Sequence, residues 1–324
     1  VLLATVLLII GLVMVTYGAD RLVFAASILC RGLGIAPLII GMTIVSIGAS
    51  LPEIIVATAA GLNGQLDLAV GTAIGSNIAN LLLILGLAAL LHPFVIHSNV
   101  LRRELPLMLI MSLLCGIMLW DGGLERMEGV LLLLTAVIYL LITVKIARLA
   151  ERQGSDSLTR EQLAELPQAS QPVAFLWLAV ALVIMPVATK MIIDNATVLA
   201  TAFSVSELIP GLTIVAIGTS LPELATAFAG MRKGEDDIAI GNIIGSNIFN
   251  IAIVLGLPAL LSPGAFDPQA VVRDYGVMLA ASVILALLCW RRPRGISRYA
   301  GALLICGFVA WTIVVFVTAT RPLG

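Results

Sequence analysis

The chain has 324 residues, 60% of them hydrophobic and only 11% charged, with a net charge of −1. A soluble domain is about one quarter charged, so this balance excludes an ordinary soluble protein, and no nucleic-acid partner is expected. The four cysteines, Cys30, Cys115, Cys289 and Cys306, stand singly in apolar segments; that spacing suits neither a disulfide framework nor a metal site, and packed small hydrophobes are expected.

No charged residue falls within 1–19, 68–101, 172–189 or 299–320. An apolar stretch of ~20 residues crosses a hydrocarbon core ~30 Å thick, so the expected fold is an all-α polytopic membrane protein embedded in the lipid bilayer. Ten transmembrane helices are predicted, over 1–19, 33–61, 68–91, 104–120, 125–146, 172–190, 207–230, 238–261, 274–290 and 299–318. The first run lacks a basic leader and is read as a span, not a cleaved signal.

The second span carries "GASLPEIIVA", with Glu53 directly after Pro52. Proline has no N–H and clashes with the carbonyl four residues back, so the Gly48 carbonyl is expected to be freed and the chain to bend there. Ser50 and Glu53 are i,i+3. In the third span Ser76 and Asn80 are i,i+4, and Gly71, Gly75 and Gly86 read as close helix packing. Asp67 precedes this span as an expected helix cap. His92 and His97 follow it and are expected to be solvated.

Between spans five and six lies "ERQGSDSLTREQLAELPQASQ" (151–171). Thr159 with Gln162 reads as a capping box for a short surface helix, in a linker too short for a domain. The seventh span brings "GTSLPELATA", with Thr219, Ser220, Pro222 and Glu223, and the eighth brings Ser246 and Asn250. Asp237 is expected to cap the eighth span. Asp20, Asp194 and Glu207 lie near span ends and are expected to be solvated.

Residues 41–91 lie over 211–261 without a gap, and 28 of the 51 aligned positions are identical. Each half holds five spans, an odd number, so the second half enters the membrane the other way up. The domains are therefore 1–146, a cytoplasmic linker at 147–171, and 172–324, forming two inverted five-helix repeats. Such architecture is typical of secondary transporters, with the site near the midplane where the repeats meet. Lys and Arg set the orientation. With the central loop inside, fourteen of the 18 fall on the cytoplasmic side and four outside, placing both termini on the non-cytoplasmic side.

Glu53 and Glu223 occupy equivalent positions in mid-span. An ionisable group there is costly, about 2.5–3.5 kcal/mol for Asp, Lys or Arg on insertion scales, and no Lys or Arg sits at matching depth. The carboxylates are therefore either protonated or bound to cations. With Ser50, Ser220, Thr219, Ser76, Ser246, Asn80 and Asn250, the donors are all oxygens, which selects hard cations such as Ca²⁺ or Na⁺. Asn77 and Asn247 read equally well as structural hydrogen-bonders. Two ionised glutamates are neutralised by one Ca²⁺ or by several Na⁺, and sharing the carboxylates makes the two loads mutually exclusive, as exchange requires.

The two "G-x-[ST]-x-P-E" segments, each followed by "GSNIxN", resemble the α-repeats of the calcium/cation antiporter superfamily, in particular its bacterial inner-membrane, sodium/calcium exchanger-like members. The resemblance covers essentially the whole chain. It implies four cation sites in a diamond between spans two, three, seven and eight. In that pattern Glu53 and Glu223 are the shared central ligands, and Ala49 and Thr219 offer backbone carbonyls to Ca²⁺. Ser50, Ser76, Ser220 and Ser246 serve Na⁺, helped by the carbonyls of Ser46 and Ala216, while Asn80 and Asn250 flank the centre. It also implies that spans one and six slide across a rigid core. Ala49 stands where threonine is common, and Asn250 where some relatives carry Asp, which leaves the coupling ion and stoichiometry open.

Three readings follow. The first is a Ca²⁺/Na⁺ antiporter with no cofactor and no obligate protein partner. The second is a Ca²⁺/H⁺ or K⁺-dependent exchanger. The third, a cation channel, fits poorly because both halves of the site lie in one chain. An intramembrane enzyme has no nucleophile–base pair here to support it.

Overall fold

The computed structural model describes residues 1–32, 46–95, 98–153, 169–224, 227–228, 236–290 and 295–319. The first half forms α1 (Leu2–Gly32), α2 (Ser46–Ala49), α3 (Leu51–Leu62), α4 (Leu66–Leu91), β1 (Phe94–Val95), α5 (Ser98–Leu119), β2 (Gly123–Leu124) and α6 (Arg126–Gln153). The second half forms α7 (Gln171–Ala202), α8 (Leu208–Thr219), α9 (Asp236–Phe249, running on to Leu261), β3 (Gly264–Ala265), α10 (Ala270–Trp290), β4 (Gly295–Ile296) and α11 (Arg298–Ala319).

Six helices among the described residues are long and apolar enough to cross a membrane: α4, α6, α7, α9, α10 and α11. Four shorter apolar helices, Leu2–Gly18, α3, Leu105–Leu119 and α8, fall on the remaining predicted spans. The all-α membrane fold is therefore as expected, although only six helices reach spanning length within these residues. Residues 33–45, most of the linker with Thr159 and Gln162, and 229–235 lie outside them.

Helix α7 does not stop at 190 as predicted but continues to Ala202. Two of its polar contacts lie on the helix itself. Lys190 pairs with Asp194 at 3.1 Å, one turn on, and Asn195 Nδ2 donates to the Met191 carbonyl at 2.7 Å. The end comes at Ser204, whose φ of 52° reverses the chain. Gly64, at φ 75°, similarly ends α3; the Gln65 N–H returns to the Ala60 carbonyl at 2.9 Å. Asp67 makes a different contact from the expected cap: its Oδ1 accepts the Asp267 N–H at 2.6 Å. Glu207 is likewise not simply solvated, because it accepts from Gln65 Nε2 at 2.9 Å and Thr197 Oγ1 at 3.2 Å.

The two halves interlock as copies. β1 pairs antiparallel with β4, and β2 with β3. Residue 94 of one pair and 264 of the other occupy the same repeat position, so the two ribbons are one arrangement used twice, each joining a strand from either half. The connections that a ten-span chain places on one membrane face are thus the ones hydrogen-bonded together.

Glycines set the closest helix approaches. A Cβ at Gly75 would meet the Leu212 carbonyl at 2.5 Å, and one at Gly71 the Leu208 carbonyl at 2.6 Å. Gly211 is reciprocally pressed on the Leu68 carbonyl at 2.7 Å. Gly86 faces Gly301, and their repeat counterpart is Gly256 facing Gly129. Small residues let backbones touch where no hydrophobic force between helices exists in lipid. This brings α4 and α8 together at mid-chain, beside the two glutamates. The flanking helices α1 and α7 pack along each other, with Gly11 against Ile192 and Gly18 against Met185.

Candidate cation-binding site

Both glutamates stand just after a one-residue break in a helix. Ser50, at φ −87° and ψ 6°, separates α2 from α3, and Ser220, at φ −85° and ψ 13°, follows α8. Pro52 and Pro222, two residues on in each case, cannot donate to the preceding turn. Helix restarts at once: the Ile54 N–H donates to the Ser50 carbonyl at 3.1 Å, and the Leu224 N–H to the Ser220 carbonyl at 3.2 Å. Glu53 therefore lies in the first turn of a new helix, where the macrodipole favours negative charge. The break thus frees backbone and places the carboxylate at a positive helix end.

The side chains cross between repeats. Ser220 Oγ donates to Glu53 Oε1 at 2.9 Å, and Ser50 Oγ to Glu223 Oε1 at 3.3 Å. The i,i+3 spacing puts each serine on the face of its own glutamate, and the hydrogen bond it makes runs across to the opposite carboxylate. Glu53, Glu223, Ser50, Ser76, Asn80, Asn250 and Thr219 are all wholly buried, and Ser220 and Ser246 nearly so. A carboxylate in such a place is unfavourable as a bare charge.

Much of this polar set has no protein partner. Oε2 of both glutamates, Oγ of Ser76 and Ser246, Asn80 Oδ1 and both amide atoms of Asn250 make no hydrogen bond. Buried polar atoms are normally satisfied, and these belong to the residues that sequence reasoning selected. The structure thus brings Glu53, Glu223, Ser50, Ser220, Ser76, Ser246, Asn80 and Asn250 into one buried region between α3, α4, α8 and α9. Ala49 is also buried there, while the side chain of Ser46 is outside the described set. The Thr219 hydroxyl returns to the Val215 carbonyl at 3.0 Å, so what it has to offer is backbone. The Ala216 carbonyl already accepts the Ser220 N–H at 3.1 Å and the Thr219 hydroxyl at 3.3 Å.

Two features escaped the sequence reading. The third and eighth spans turn π-helical at Ala79–Ile84 and Asn250–Leu255, so Asn80 and Asn250 sit at the start of a widened turn. Such bulges recur at functional sites, yet their composition is that of any apolar helix. Asn77 and Asn247 differ, since the Asn77 Oδ1 is buried without a partner and the Asn247 Oδ1 is taken. Asn77 Nδ2 reaches Met278 Sδ at 3.4 Å, and Asn247 Oδ1 accepts from Asn80 Nδ2 at 3.1 Å.

The donors are oxygens, and the described residues hold no group of three or more His, Cys, Asp or Glu suited to a metal ion. A cavity of about 770 Å³ between α3 and α7 begins at Ile55, within one turn of Glu53, and reaches Gln65 and Thr197. On the other side, Leu12 of α1 fills the space beside Gly218, where a Cβ would meet it at 2.4 Å.

The family model described as sodium/calcium exchanger protein matches residues 3–145 and 173–317. Over 316 residues the chain is 67% identical to the inner membrane protein YrbG of Escherichia coli K12, covering 97% of each chain. It is 43% identical to the putative antiporter CaxA of Alkalimonas amylolytica, over 97% of this chain and 99% of that one. With the sodium/calcium exchanger MaX1 of Methanosarcina acetivorans the identity is 30%, over 96% and 97%. Among solved structures, that of the sodium-calcium exchanger NCX_Mj soaked with Na⁺ and Sr²⁺ superposes with a TM-score of 0.64 at 28% identity, covering 99% of this chain and 100% of that one.

Proposed function

Because the chain belongs to the sodium/calcium exchanger protein family, and is thereby a membrane cation antiporter and not an enzyme, we propose that it exchanges Ca²⁺ for Na⁺ across the cytoplasmic membrane. Glu53 and Glu223 are the shared ligands. The observation that carries this is the reciprocal pairing of Ser220 with Glu53 and Ser50 with Glu223, each leaving the second carboxylate oxygen free in a buried, all-oxygen surround. One Ca²⁺ or several Na⁺ neutralise the pair, and neither load coexists with the other. An unloaded site leaves two charges in low dielectric and resists the move between faces.

Alternating access follows from what flanks the site. Helix α1 is seated against Gly218 and α7 borders the cavity beside α3, so sliding α1 and α7 together closes one approach and opens the other. The excess of Lys and Arg around the central linker puts that linker in the cytoplasm and both termini outside.

Ion-resolved flux in proteoliposomes tests this, with Na⁺, K⁺ and H⁺ gradients imposed separately. A Na⁺ gradient at clamped pH drives Ca²⁺ movement in the wild type, and Glu53→Gln or Glu223→Gln abolishes it while the protein still elutes as a folded species. Flux driven by H⁺ alone would replace Na⁺ by protons at the same two glutamates; wild-type rates in either variant would remove the glutamates from the mechanism.

A further inference from the structure

Helix α7 is tied to the rest of the molecule near its C-terminal end by side chains from three elements. Gln65 lies in the turn between α3 and α4, Thr197 on α7, and Glu207 directly before α8. Gln65 Nε2 donates to Thr197 Oγ1 at 2.6 Å and to Glu207 Oε1 at 2.9 Å, and Thr197 Oγ1 donates to the same Glu207 Oε1 at 3.2 Å. The three contacts close a ring that uses both amide hydrogens and the hydroxyl hydrogen. Only this orientation of the amide works, because Gln65 Oε1 turned toward Glu207 sets oxygen against carboxylate.

Two of the three residues belong to the core, and the third does not. Gln65 follows the Gly64 turn, with its N–H held by the Ala60 carbonyl at 2.9 Å. Glu207 adjoins the place where α4 and α8 press backbone on backbone, Gly71 against the Leu208 carbonyl. Thr197 rides on α7, which packs along α1. Thr72, Thr143, Thr201, Thr213 and Thr312 each turn the hydroxyl to the carbonyl four residues back, the usual habit of a helical threonine. Thr197 instead turns its hydroxyl off its own helix. Gln65 Oε1 stays buried without a partner, which is unfavourable and partly offsets the two bonds its Nε2 makes. A junction balanced in this way closes without locking.

The repeat gives a control. At the 170-residue offset, positions 65, 197 and 207 correspond to Glu235, Ser27 and Pro37. The hydroxyl recurs, but a carboxylate replaces the amide donor and a proline replaces the carboxylate. The chemistry of this ring therefore belongs to one mouth only.

We propose that Gln65, Thr197 and Glu207 form a one-sided latch that holds α7 at one limit of its travel, the position seen here, and opens whenever α7 slides. The latch rests on the sliding of α1 and α7 in the antiporter reading. Two inverted repeats by themselves give no preference between the two access states, and a contact built at one mouth only supplies one. Gln65 is thus a positioning residue: it touches no transported ion, yet sets how often the central site faces each side.

The test is a distance distribution between spin labels at Leu62 and Val187, both exposed, in the full chain with its four cysteines changed to alanine. Val187 lies ten residues before Thr197, about 15 Å along the helix, so sliding of α7 changes this distance directly. Thr197→Val lowers the share of the latched distance against the alternative about tenfold, the size of a hydrogen bond to a charged group, and Thr197→Ser keeps the wild-type distribution. Gln65→Glu, which sets two carboxylates together, unlatches α7. Adding Glu207→Gln restores the latch with donor and acceptor exchanged, a recovery that misfolding cannot imitate. In sealed vesicles of either orientation, Thr197→Val moves the half-saturating Ca²⁺ concentration in opposite directions at the two faces; a merely weakened fold lowers the rate and leaves both in place. Distances unchanged by Thr197→Val and Gln65→Glu overturn the latch, as does a double variant that stays unlatched. Absence of Ca²⁺ flux in the wild type would count against the antiporter reading, while the distances still decide whether the latch exists.

Discussion

Ser112 Oγ and Ser282 Oγ lie 3.4 Å apart, and the two residues are 170 positions apart in the chain, the offset that superposes the repeats. The pseudo-two-fold axis therefore passes between them. Each hydroxyl also reaches the carbonyl four residues back, Met108 and Met278, at 2.9 Å, so the contact across the axis is secondary. Ser112→Ala and Ser282→Ala are expected to cost the same, under about 1 kcal/mol each. Leucine at either position overpacks the axis by about 1–3 kcal/mol. Thermal melting of the purified variants checks both the size and the equality.

The crossed hydrogen bonds predict a crossed energetic pattern. Ser220→Ala and Glu53→Gln share a contact of 2.9 Å and should be non-additive by about 1 kcal/mol or more in a double-mutant cycle of cation affinity. Ser220→Ala combined with Ser50→Ala, which touches the other glutamate, should come closer to additive. Calorimetric Ca²⁺ titration of the four proteins in each cycle distinguishes the two.

The close approach of α4 to α8 should be intolerant of a side chain. A Cβ at Gly75 meets the Leu212 carbonyl at 2.5 Å and its Cα at 2.7 Å. Gly75→Ala must push α4 from α8 and is expected to lose about 1–3 kcal/mol or more. Melting midpoints of the variant and the wild type under identical detergent conditions give the answer, and an unchanged midpoint would contradict the close approach.

Asp274 is fully buried at the start of α10 and is held by Arg273 through two contacts of 2.7 Å and by Trp311 Nε1 at 2.9 Å. Arg273→Gln leaves that carboxylate without its charge partner and is expected to cost about 3–5 kcal/mol. Arg273→Gln with Asp274→Asn should recover much of the loss, read by the same melting experiment.

The repeat, its glutamates and the oxygen donors were legible because they are identities at fixed offset, and a buried carboxylate is rare enough to stand out. The partner of each serine was not. Ser50 reads as a neighbour of Glu53 on any regular helix, and its hydrogen bond to Glu223 shows only in the folded chain. The π-helical turns at Asn80 and Asn250 were invisible because hydrogen-bond register leaves no mark on an apolar run. The outer end of α7 was cut short in the sequence reading because Lys190 and Asp194 look like a span boundary, when in fact they satisfy each other on the helix.

The two strand ribbons have a consequence for what counts as a folding unit. Among the described residues β1 pairs with β4 and β3 with β2, and the serine that steadies each glutamate belongs to the opposite repeat. Either half placed alone in a bilayer would have open strand edges, a glycine groove with no backbone to fill it, and a carboxylate with no hydroxyl. Severing the chain within the linker, by contrast, cuts none of these contacts. The covalent join between the halves is a matter of supply, keeping two complementary pieces in equal number, and the architecture itself is that of a heterodimer written on one polypeptide.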